Sequence, residues 1–396
     1  MSRAALLWDE SYLWGVFACK SLRSLGLGFD LVRASEIRAG RLEGYGTLMV
    51  PGGWASNKIT ALGDEGAGAV RDFVNGGGNY LGICGGAGLA TMDGLGLVDI
   101  SRKPTRERVP SLSGPVRLSL EPHAIWEGTD EPVFNVWWPS QFVPGSGDIR
   151  VLARFRSATD EAMSSDLPVG DVLKNGGPGG WKALEEAYGL NLDPSRMSGE
   201  PLVIEASLGK GRVVLSLVHF DTPGDRRGSV VLDRLWQYLG AERSASTGEE
   251  TGDDYDKCLN SRLFRAAAMP FELGLRNFLW YRRGPLVEWR RGVRGLEYFT
   301  LYTLADEICR REAVPGEDSE RLAPEVEEFS MRAEELLMLE RQALQRGEAI
   351  TFRKASGERM AALREDLFSG SKSHGGRFKS IIEKLDSILY RLLVTE

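Results

Sequence analysis

The chain has 396 residues, of which 42% are hydrophobic and 27% charged, and its formal net charge is −7. This length accommodates two or more domains with hydrophobic cores of their own. The acidic balance argues against general nucleic-acid binding, which needs a basic surface, and no stretch approaches the roughly 18 to 20 apolar residues of a membrane span.

The cysteines point to a reduced intracellular protein. Cys19, Cys84, Cys258 and Cys309 lie far apart with no CxxC pair, a pattern that excludes the usual zinc spacings and gives no disulfide framework. The apolar run at the N-terminus is too short for a signal peptide. We therefore expect a soluble, cytoplasmic protein with neither a metal nor a cofactor.

Residues 1–243 alternate between strand-like and helix-like patterns, which predicts an α/β domain with a parallel sheet and helices on both of its faces. The sequence predicts early strands at 4–8, 29–32, 47–50 and 80–83, and helices at 12–25 and 65–75. From residue 116 to residue 217 the chain is richer in strands, which are predicted at 116–120, 149–155, 202–206 and 212–217.

The remainder of the chain changes character. Residues 244–254 are polar and acidic without periodicity, which indicates a linker between domains. Residues 255–396 predict an all-α helical bundle. Its helices are expected at 255–268, 271–281, 286–311, 323–345, 353–367 and 378–393, separated by turn signals such as Pro270 and Gly284-Pro285.

The segment Asn79-Tyr-Leu-Gly-Ile-Cys-Gly-Gly-Ala-Gly88 is the most informative motif. A short apolar strand ends at Cys84, and glycines follow where a helix is predicted to begin. A strand-turn-helix corner of this kind presents a nucleophilic side chain at the carboxyl edge of the sheet. A small buried cysteine is the alternative.

His219 is the candidate base, because it is the one histidine of three that follows a strongly apolar strand. Asp221 follows two residues later and is placed to orient the imidazole and complete a thiol–imidazole–carboxylate relay. Gly52 and Gly53 end the neighbouring strand, and their N–H groups together with that of Gly85 form a candidate oxyanion hole. A plain tight turn explains these two glycines equally well.

These motifs resemble the class I glutamine amidotransferase-like superfamily. Val50-Pro-Gly-Gly53, Phe73-Val-Asn-Gly-Gly-Gly78 and the Cys84 corner are most similar to the amino-terminal domain found on eukaryotic-type biotin-protein ligases and on stand-alone bacterial proteins. The resemblance covers about residues 3–243 and implies a flavodoxin-like, amidotransferase-like fold. It matches Cys84 to the family's nucleophile and His219 to its histidine.

The chain departs from that family in three places. Asp221 occupies a position where amidotransferases usually carry a glutamate, and nothing in the chain resembles a biotin ligase core or a synthetase that consumes ammonia. A related branch of the superfamily places a glutamate near the cysteine after the first strand. Asp9 and Glu10 follow the first strand here, as a candidate carboxylate or as solvated loop residues.

The helical region contains arginines interleaved with aromatic residues at positions 276–294. They indicate either a surface for an anionic partner or membrane, or a core of aromatic residues with solvated arginines.

Three functions follow from these patterns. The first is a cysteine-dependent, amidotransferase-like hydrolase or amidase that acts on an unknown small molecule. The second is a catalytically silent regulatory protein whose residues 255–396 dock a protein partner or a second copy. The third is a redox or carbonyl-stress sensor that uses Cys84 alone.

Overall fold

The computed structural model describes residues 2–176, 179–244, 258–312, 316–370 and 373–395. The chain divides into two compact units, Met1–Glu249 and Glu250–Glu396. Most of the linker expected at 244–254 lies outside the described residues. Across the described ranges, no helix combines the length and the apolar character needed to cross a lipid bilayer.

The first unit is built on a mixed sheet of eleven strands. The strands of its parallel half are β1 (Arg3–Leu7), β2 (Asp30–Val32), β3 (Tyr45–Val50), β4 (Asn79–Ile83) and β13 (Gly211–Ser216). They have the order β2-β1-β3-β4-β13, and β1 pairs in parallel with both β2 and β3. The helices of the unit include α1 (Leu13–Ser24), α2 (Ala34–Arg38), α3 (Ala55–Gly76), α4 (Gly85–Leu89) and α7 (Arg226–Tyr238). The α/β class expected from the alternating pattern is confirmed.

The sheet continues beyond β13 in antiparallel pairs, so it is not parallel throughout as the sequence predicted. The further strands are β6 (Leu112–Leu120), β7 (Val133–Trp137), β9 (Ile149–Ala158), β10 (Met163–Ser164), β11 (Leu167–Pro168) and β12 (Pro201–Leu208). A tight turn between β12 and β13 reverses the chain, and the order continues β12-β9-β6-β10-β11, with β7 on β6. A small separate pair is formed by β5 (Ile100–Arg102) and β8 (Phe142–Pro144), and α5 (Val169–Gly176) and α6 (Gly180–Tyr188) complete the unit.

Helix α3 is longer than the sequence pattern predicted. The expected helix at 65–75 is its second part, because Gly63 interrupts the helical backbone with φ 63° and ψ −178°. The part before Gly63 begins directly after the Pro51-Gly52-Gly53 turn. Helix α3 therefore starts from the carboxyl edge of the parallel strands, which is the edge where Cys84 lies.

The second unit is mainly helical. Its helices are α8 (Arg262–Arg276), α9 (Gly295–Arg311), α10 (Glu317–Gln345), α11 (Glu358–Phe368) and α12 (Gly376–Thr395). Helix α8 passes through Pro270, where the sequence predicted a break. Phe271 next to it is fully buried and stacks on Tyr302 with ring centroids 4.6 Å apart, so packing outweighs the local cost of the proline.

A β-hairpin corrects the expectation that this region is all helix. Strands β14 (Trp280–Arg283) and β15 (Leu286–Trp289) pair where helices were predicted at 271–281 and 286–311. Gly284 takes a positive φ of 57° at the turn, a conformation that favours glycine. The hairpin places Trp280 in the core, 2% exposed, where it stacks on Tyr298.

The arginine–aromatic segment is only partly buried in this core. Arg282 lies over the rings of Phe271 and Tyr302, at 5.3 and 5.6 Å from their centroids. Arg294 lies 4.1 Å from the centroid of Phe352. These cation–π contacts and the buried Trp280 support a packing role for part of the segment, whereas Phe278 is 75% exposed and Tyr281 51% exposed.

Candidate functional site

The backbone at Cys84 forms the sharp corner that the sequence predicted. Strand β4 ends at Ile83 and helix α4 begins at Gly85, so Cys84 alone makes the turn, with φ 48° and ψ −100°. A positive φ is strained for a residue with a Cβ atom and occurs at functional corners. The Cys84 N–H donates to the carbonyl oxygen of Ser216 at 2.7 Å, which fixes the corner to β13.

Cys84 is also the accessible thiol. It is half-buried, whereas Cys19, Cys258 and Cys309 are buried. Accessibility is a precondition for reaction with a substrate or a reagent, and the three buried cysteines do not meet it.

The glycines that follow Cys84 allow two backbone segments to approach each other closely. A Cβ atom on Gly85 would lie 1.9 Å from the carbonyl oxygen of Gly53, and one on Gly86 would lie 1.9 Å from that of Val50. Both distances are far below van der Waals contact, so only glycine fits. The start of α4 is thus pressed against the end of β3 and the turn that follows it.

His219 lies beyond the end of β13 and is fully buried. Its backbone N–H donates to the carbonyl oxygen of Asn135 at 2.9 Å. The side chain pairs with the equally buried Asp221, Nδ1 to Oδ1, at 2.9 Å. The other ring nitrogen, Nε2, has no hydrogen-bond partner among the described residues. The Asp221 carboxylate therefore orients the ring and leaves Nε2 for another group.

The charges at this site favour a protonated imidazole. Burial lowers the pKa of His219, but the carboxylate of Asp221 and the sulfur of Cys84 oppose it and raise the pKa to about 10. His219 and Cys84 are therefore electrostatic neighbours. The Cys84 thiol also donates to the carbonyl oxygen of Trp137, with Sγ and O 3.7 Å apart.

The Gly52-Gly53 turn completes the cluster. A Cβ atom on Gly52 would lie 3.1 Å from Cε1 of His219, and the backbone of Gly53 touches Gly85 as described above. The structure thus brings Gly52, Gly53 and Gly85 together with His219 and Cys84. Within the described ranges, the N–H groups of these three glycines have no acceptor.

The carboxylates of Asp9 and Glu10, which follow the first strand, form hydrogen bonds with residues of neighbouring loops and helices. Asp9 accepts the backbone N–H of Ala34 at 2.6 Å and pairs with Arg33 at 3.6 Å. Glu10 accepts from the side-chain amide of Asn57 at 3.1 Å. These contacts tie loops of the sheet edge together and favour a structural role for both carboxylates.

Sequence reasoning missed the aromatic surroundings of the site. The ring of Trp14 lies 4.7 Å from the imidazole of His219, and the ring of Trp138 lies 6.3 Å from Trp14. Trp137 supplies the carbonyl that accepts the Cys84 thiol, and its Nε1 donates to Thr222 at 3.2 Å. No local pattern signals these contacts, because they join residues that lie far apart in the sequence.

Lys58 is a second residue that the sequence did not single out. It is fully buried, and its Nζ donates to the carbonyl oxygen of Asp9 at 3.2 Å and to the hydroxyl of Ser11 at 2.5 Å. Its Cε lies 3.3 Å from the position of a Cβ atom on Gly53. Lys58 thus packs against the Gly52-Gly53 turn and supports it.

No protein-family model matches the chain, and no curated protein matches its sequence. Among solved structures it is similar to PurLQS from Thermotoga maritima, with 15% identity and a TM-score of 0.41 over 60% of this chain and 100% of that one. It is also similar to a putative GMP synthase component from Thermoplasma acidophilum, with 13% identity and a TM-score of 0.38 over 61% and 95%. A β-galactosidase from Bacillus circulans sp. alkalophilus is also similar, with 12% identity and a TM-score of 0.38 over 61% of this chain and 32% of that one. Similarity at this level transfers no activity to this chain.

In the described part of the chain, no group of three or more histidine, cysteine, aspartate or glutamate side chains is arranged to hold a metal ion.

The raised pKa of His219 predicts a stability that falls with pH. A group whose folded-state pKa is raised stabilises the fold fully at a pH below its ordinary pKa. This stabilisation is lost as the pH rises through the folded-state pKa. For His219 this interval runs from 6.5 to about 10. Each pKa unit corresponds to about 1.4 kcal/mol, so the free energy of unfolding falls by several kcal/mol across this interval.

Urea unfolding of the wild type and of His219→Gln across this interval measures the effect. The free energy of unfolding of the wild type should fall relative to that of the variant, because glutamine does not titrate. A constant difference between the two proteins at every pH would contradict the prediction.

Proposed function

We propose that the chain is a cysteine-dependent hydrolase or amidase of the amidotransferase-like type, with Cys84 as its nucleophile. One observation carries this proposal. The strained corner places an accessible thiol beside a buried imidazole whose Nδ1 is held by Asp221 and whose Nε2 has no partner among the described residues. The resemblance of the sequence around residues 50–88 to class I amidotransferases points to the same chemistry.

The first half-reaction forms a thioester. The Cys84 sulfur, as the thiolate, attacks the carbonyl carbon of an amide, and the carbonyl π electrons move to the oxygen. The His219 imidazolium then gives its Nε2 proton to the departing nitrogen as the C–N bond breaks. Its raised pKa supports this role, because the ring holds a proton at neutral pH and its positive charge stabilises the nearby thiolate.

The second half-reaction releases the acyl group. The imidazole, now neutral, takes a proton from a water molecule whose oxygen adds to the thioester carbon. The C–S bond breaks, a carboxylic acid leaves, and the thiolate–imidazolium pair is restored. Asp221 keeps Nδ1 protonated and the ring oriented through both halves.

The turn glycines have the properties of an oxyanion hole. Gly53 and Gly85 are in backbone contact beside Cys84, and their N–H groups have no acceptor within the described residues. Donors fixed before the reaction stabilise the charge that develops on the carbonyl oxygen. We assign Gly52, which lies against the imidazole, to shaping this turn.

A second candidate is a protein of this fold that binds a ligand without turnover. The hydrogen bond from the Cys84 thiol to the carbonyl oxygen of Trp137 favours it, because the nucleophile is the thiolate and not a thiol that donates to a carbonyl. Asp221 is also one methylene shorter than the glutamate usual in amidotransferases. In this case the helical unit would carry the function by docking a partner or a second copy.

A diazoketone analogue of glutamine distinguishes the two candidates. Incubation followed by intact-mass analysis and peptide mapping should show a single adduct on Cys84, and Cys84→Ser should show none. If Cys84 in the folded wild type stays unmodified while a denatured sample reacts with a general thiol reagent, the hydrolase proposal fails.

A further inference from the structure

Phe278 is a large apolar residue that a strained backbone holds in solvent. Its side chain is 75% exposed, and its φ is 55°. At the end of α8 the Phe278 N–H donates to the carbonyl oxygen of Leu275 at 3.2 Å, and the Leu279 N–H donates to that of Gly274 at 2.9 Å. This pair of bonds is the Schellman motif, in which glycine usually occupies the position that Phe278 has here. Phenylalanine at this position therefore destabilises the fold and buries little apolar surface.

The exposed surface continues on the hairpin of β14 and β15. Tyr281, in β14, is 51% exposed, and its neighbour Arg282 is exposed as well. Arg290 is exposed directly after β15. Its N–H donates to the carbonyl oxygen of Leu279 at 2.8 Å, which places it beside the segment that follows Phe278. We call Phe278, Tyr281, Arg282 and Arg290 the hairpin surface.

The arginines of the hairpin surface lack anionic partners. Among the described residues, neither Arg282 nor Arg290 forms an ion pair with a carboxylate, whereas Arg283 pairs with Glu288 at 2.9 Å. Between residues 276 and 294 the sequence has six arginines and one glutamate, a net charge of +5, although the whole chain carries −7. The remainder of the chain therefore carries −12, and the hairpin surface is a positive region on an acidic protein.

We propose that the hairpin surface docks on an anionic lipid bilayer. Phe278 and Tyr281 enter the boundary between headgroups and acyl chains, and Arg282 and Arg290 contact the negatively charged headgroups. A bilayer surface offers negative charge and an apolar layer close to each other, which matches exposed aromatic rings next to guanidinium groups without carboxylate partners. One protruding hairpin is enough for such a contact, so the acidic remainder of the chain need not approach the lipid.

A polynucleotide fits these observations less well. Its binding needs a basic stripe that contacts several successive phosphates, on a domain that is basic as a whole. Beside the hairpin surface, Arg276 pairs with Glu272 at 3.7 Å and Arg283 pairs with Glu288. These carboxylates shorten the stretch of positive charge, and the chain as a whole is acidic.

Sedimentation of the full chain with lipid vesicles tests the inference. The wild type should bind vesicles made of equal parts of phosphatidylcholine and phosphatidylserine. It should bind vesicles of phosphatidylcholine alone about tenfold more weakly or less, because these lack the negative surface potential. High salt should weaken binding to the mixed vesicles, since it screens the charges.

Phe278→Gly is the most informative variant, because binding and stability should change in opposite directions. Its partition coefficient on the mixed vesicles should fall about fivefold or more, because the ring that enters the lipid is lost. Its melting temperature should rise by about 2–4 °C, since glycine relieves the strain at the end of α8. Phe278→Trp retains an aromatic ring and should bind within about twofold of the wild type.

Two double variants that remove equal charge test the arginines. Arg282→Gln combined with Arg290→Gln should lower the partition coefficient about tenfold or more. Arg156→Gln combined with Arg226→Gln is the matched control and should lower it less than about twofold. Arg156 and Arg226 are also exposed and have no carboxylate partner within the described ranges, but they belong to the first unit.

Three results would overturn the inference. The first is a wild type that binds neither kind of vesicle, or binds both equally. The second is an unchanged partition coefficient in Phe278→Gly or in the Arg282 and Arg290 double variant. The third is binding of a single-stranded oligonucleotide at lower protein concentration than binding of the mixed vesicles, which would identify a polynucleotide as the partner. None of these results depends on the hydrolase proposal.

Discussion

Replacing His219 with alanine is expected to slow the reaction of Cys84 with the diazoketone analogue about a hundredfold or more, the usual contribution of a general acid–base residue. The imidazolium supplies both the charge that stabilises the thiolate and the proton that the analogue must accept. Time-resolved intact-mass analysis gives the rate constant. Asp221→Ala should slow the reaction too, because the ring loses the group that holds Nδ1.

His123→Ala is the matched control for this prediction. His123 also lies near a carboxylate, with Nε2 3.6 Å from Glu205, and its ring contacts Tyr238 rather than the Cys84 site. Its replacement should leave the rate within about twofold. If His219→Ala reacts as fast as the wild type, His219 takes no part in the chemistry of Cys84.

Alanine at Gly85 or Gly86 is expected to destabilise the first unit strongly. Each new methyl group would lie 1.9 Å from a backbone carbonyl oxygen, so the end of β3 and the start of α4 must move apart. Overpacking against side chains costs about 1–3 kcal/mol, and we expect the upper end or beyond here because backbone cannot rotate away. Thermal unfolding monitored by circular dichroism measures the loss.

Gly68→Ala provides the comparison on α3. A Cβ atom there meets nothing within 4 Å, and alanine is favoured over glycine in a helix by about 1 kcal/mol. Replacement of glycine by alanine should therefore stabilise the fold at residue 68 and destabilise it at residues 85 and 86. A Gly85→Ala protein as stable as the wild type would contradict the packing described for the corner.

Much of the candidate site is readable in the sequence because its signals are local. The glycines around Cys84 are required by backbone contacts that leave no room for a side chain. Because the cysteine directly follows a strand, the sequence also indicates which edge of the sheet the thiol occupies. His219 and Asp221 are two residues apart, so their pairing also depends on local geometry. Their meeting with Cys84 follows from the parallel pairing of β4 and β13.

The parts that the sequence did not predict depend on long-range packing. The turn between β12 and β13 reverses the direction of the sheet, although each strand alone has the same pattern in a parallel or an antiparallel pair. The hairpin at β14 and β15 contains residues with adequate helix propensity, and burial of Trp280 decides its form.

The most direct test of the account is the titration of His219 by NMR in wild type and in Cys84→Ala. The chain has three histidines, so selective labelling of their rings gives few signals, and His219→Gln assigns the one of interest. We predict that His219 stays protonated through neutral pH, titrates near pH 10, and has a lower pKa once the sulfur is removed. A neutral ring at pH 7, or the same titration in both proteins, would show that Cys84, His219 and Asp221 do not form one coupled site.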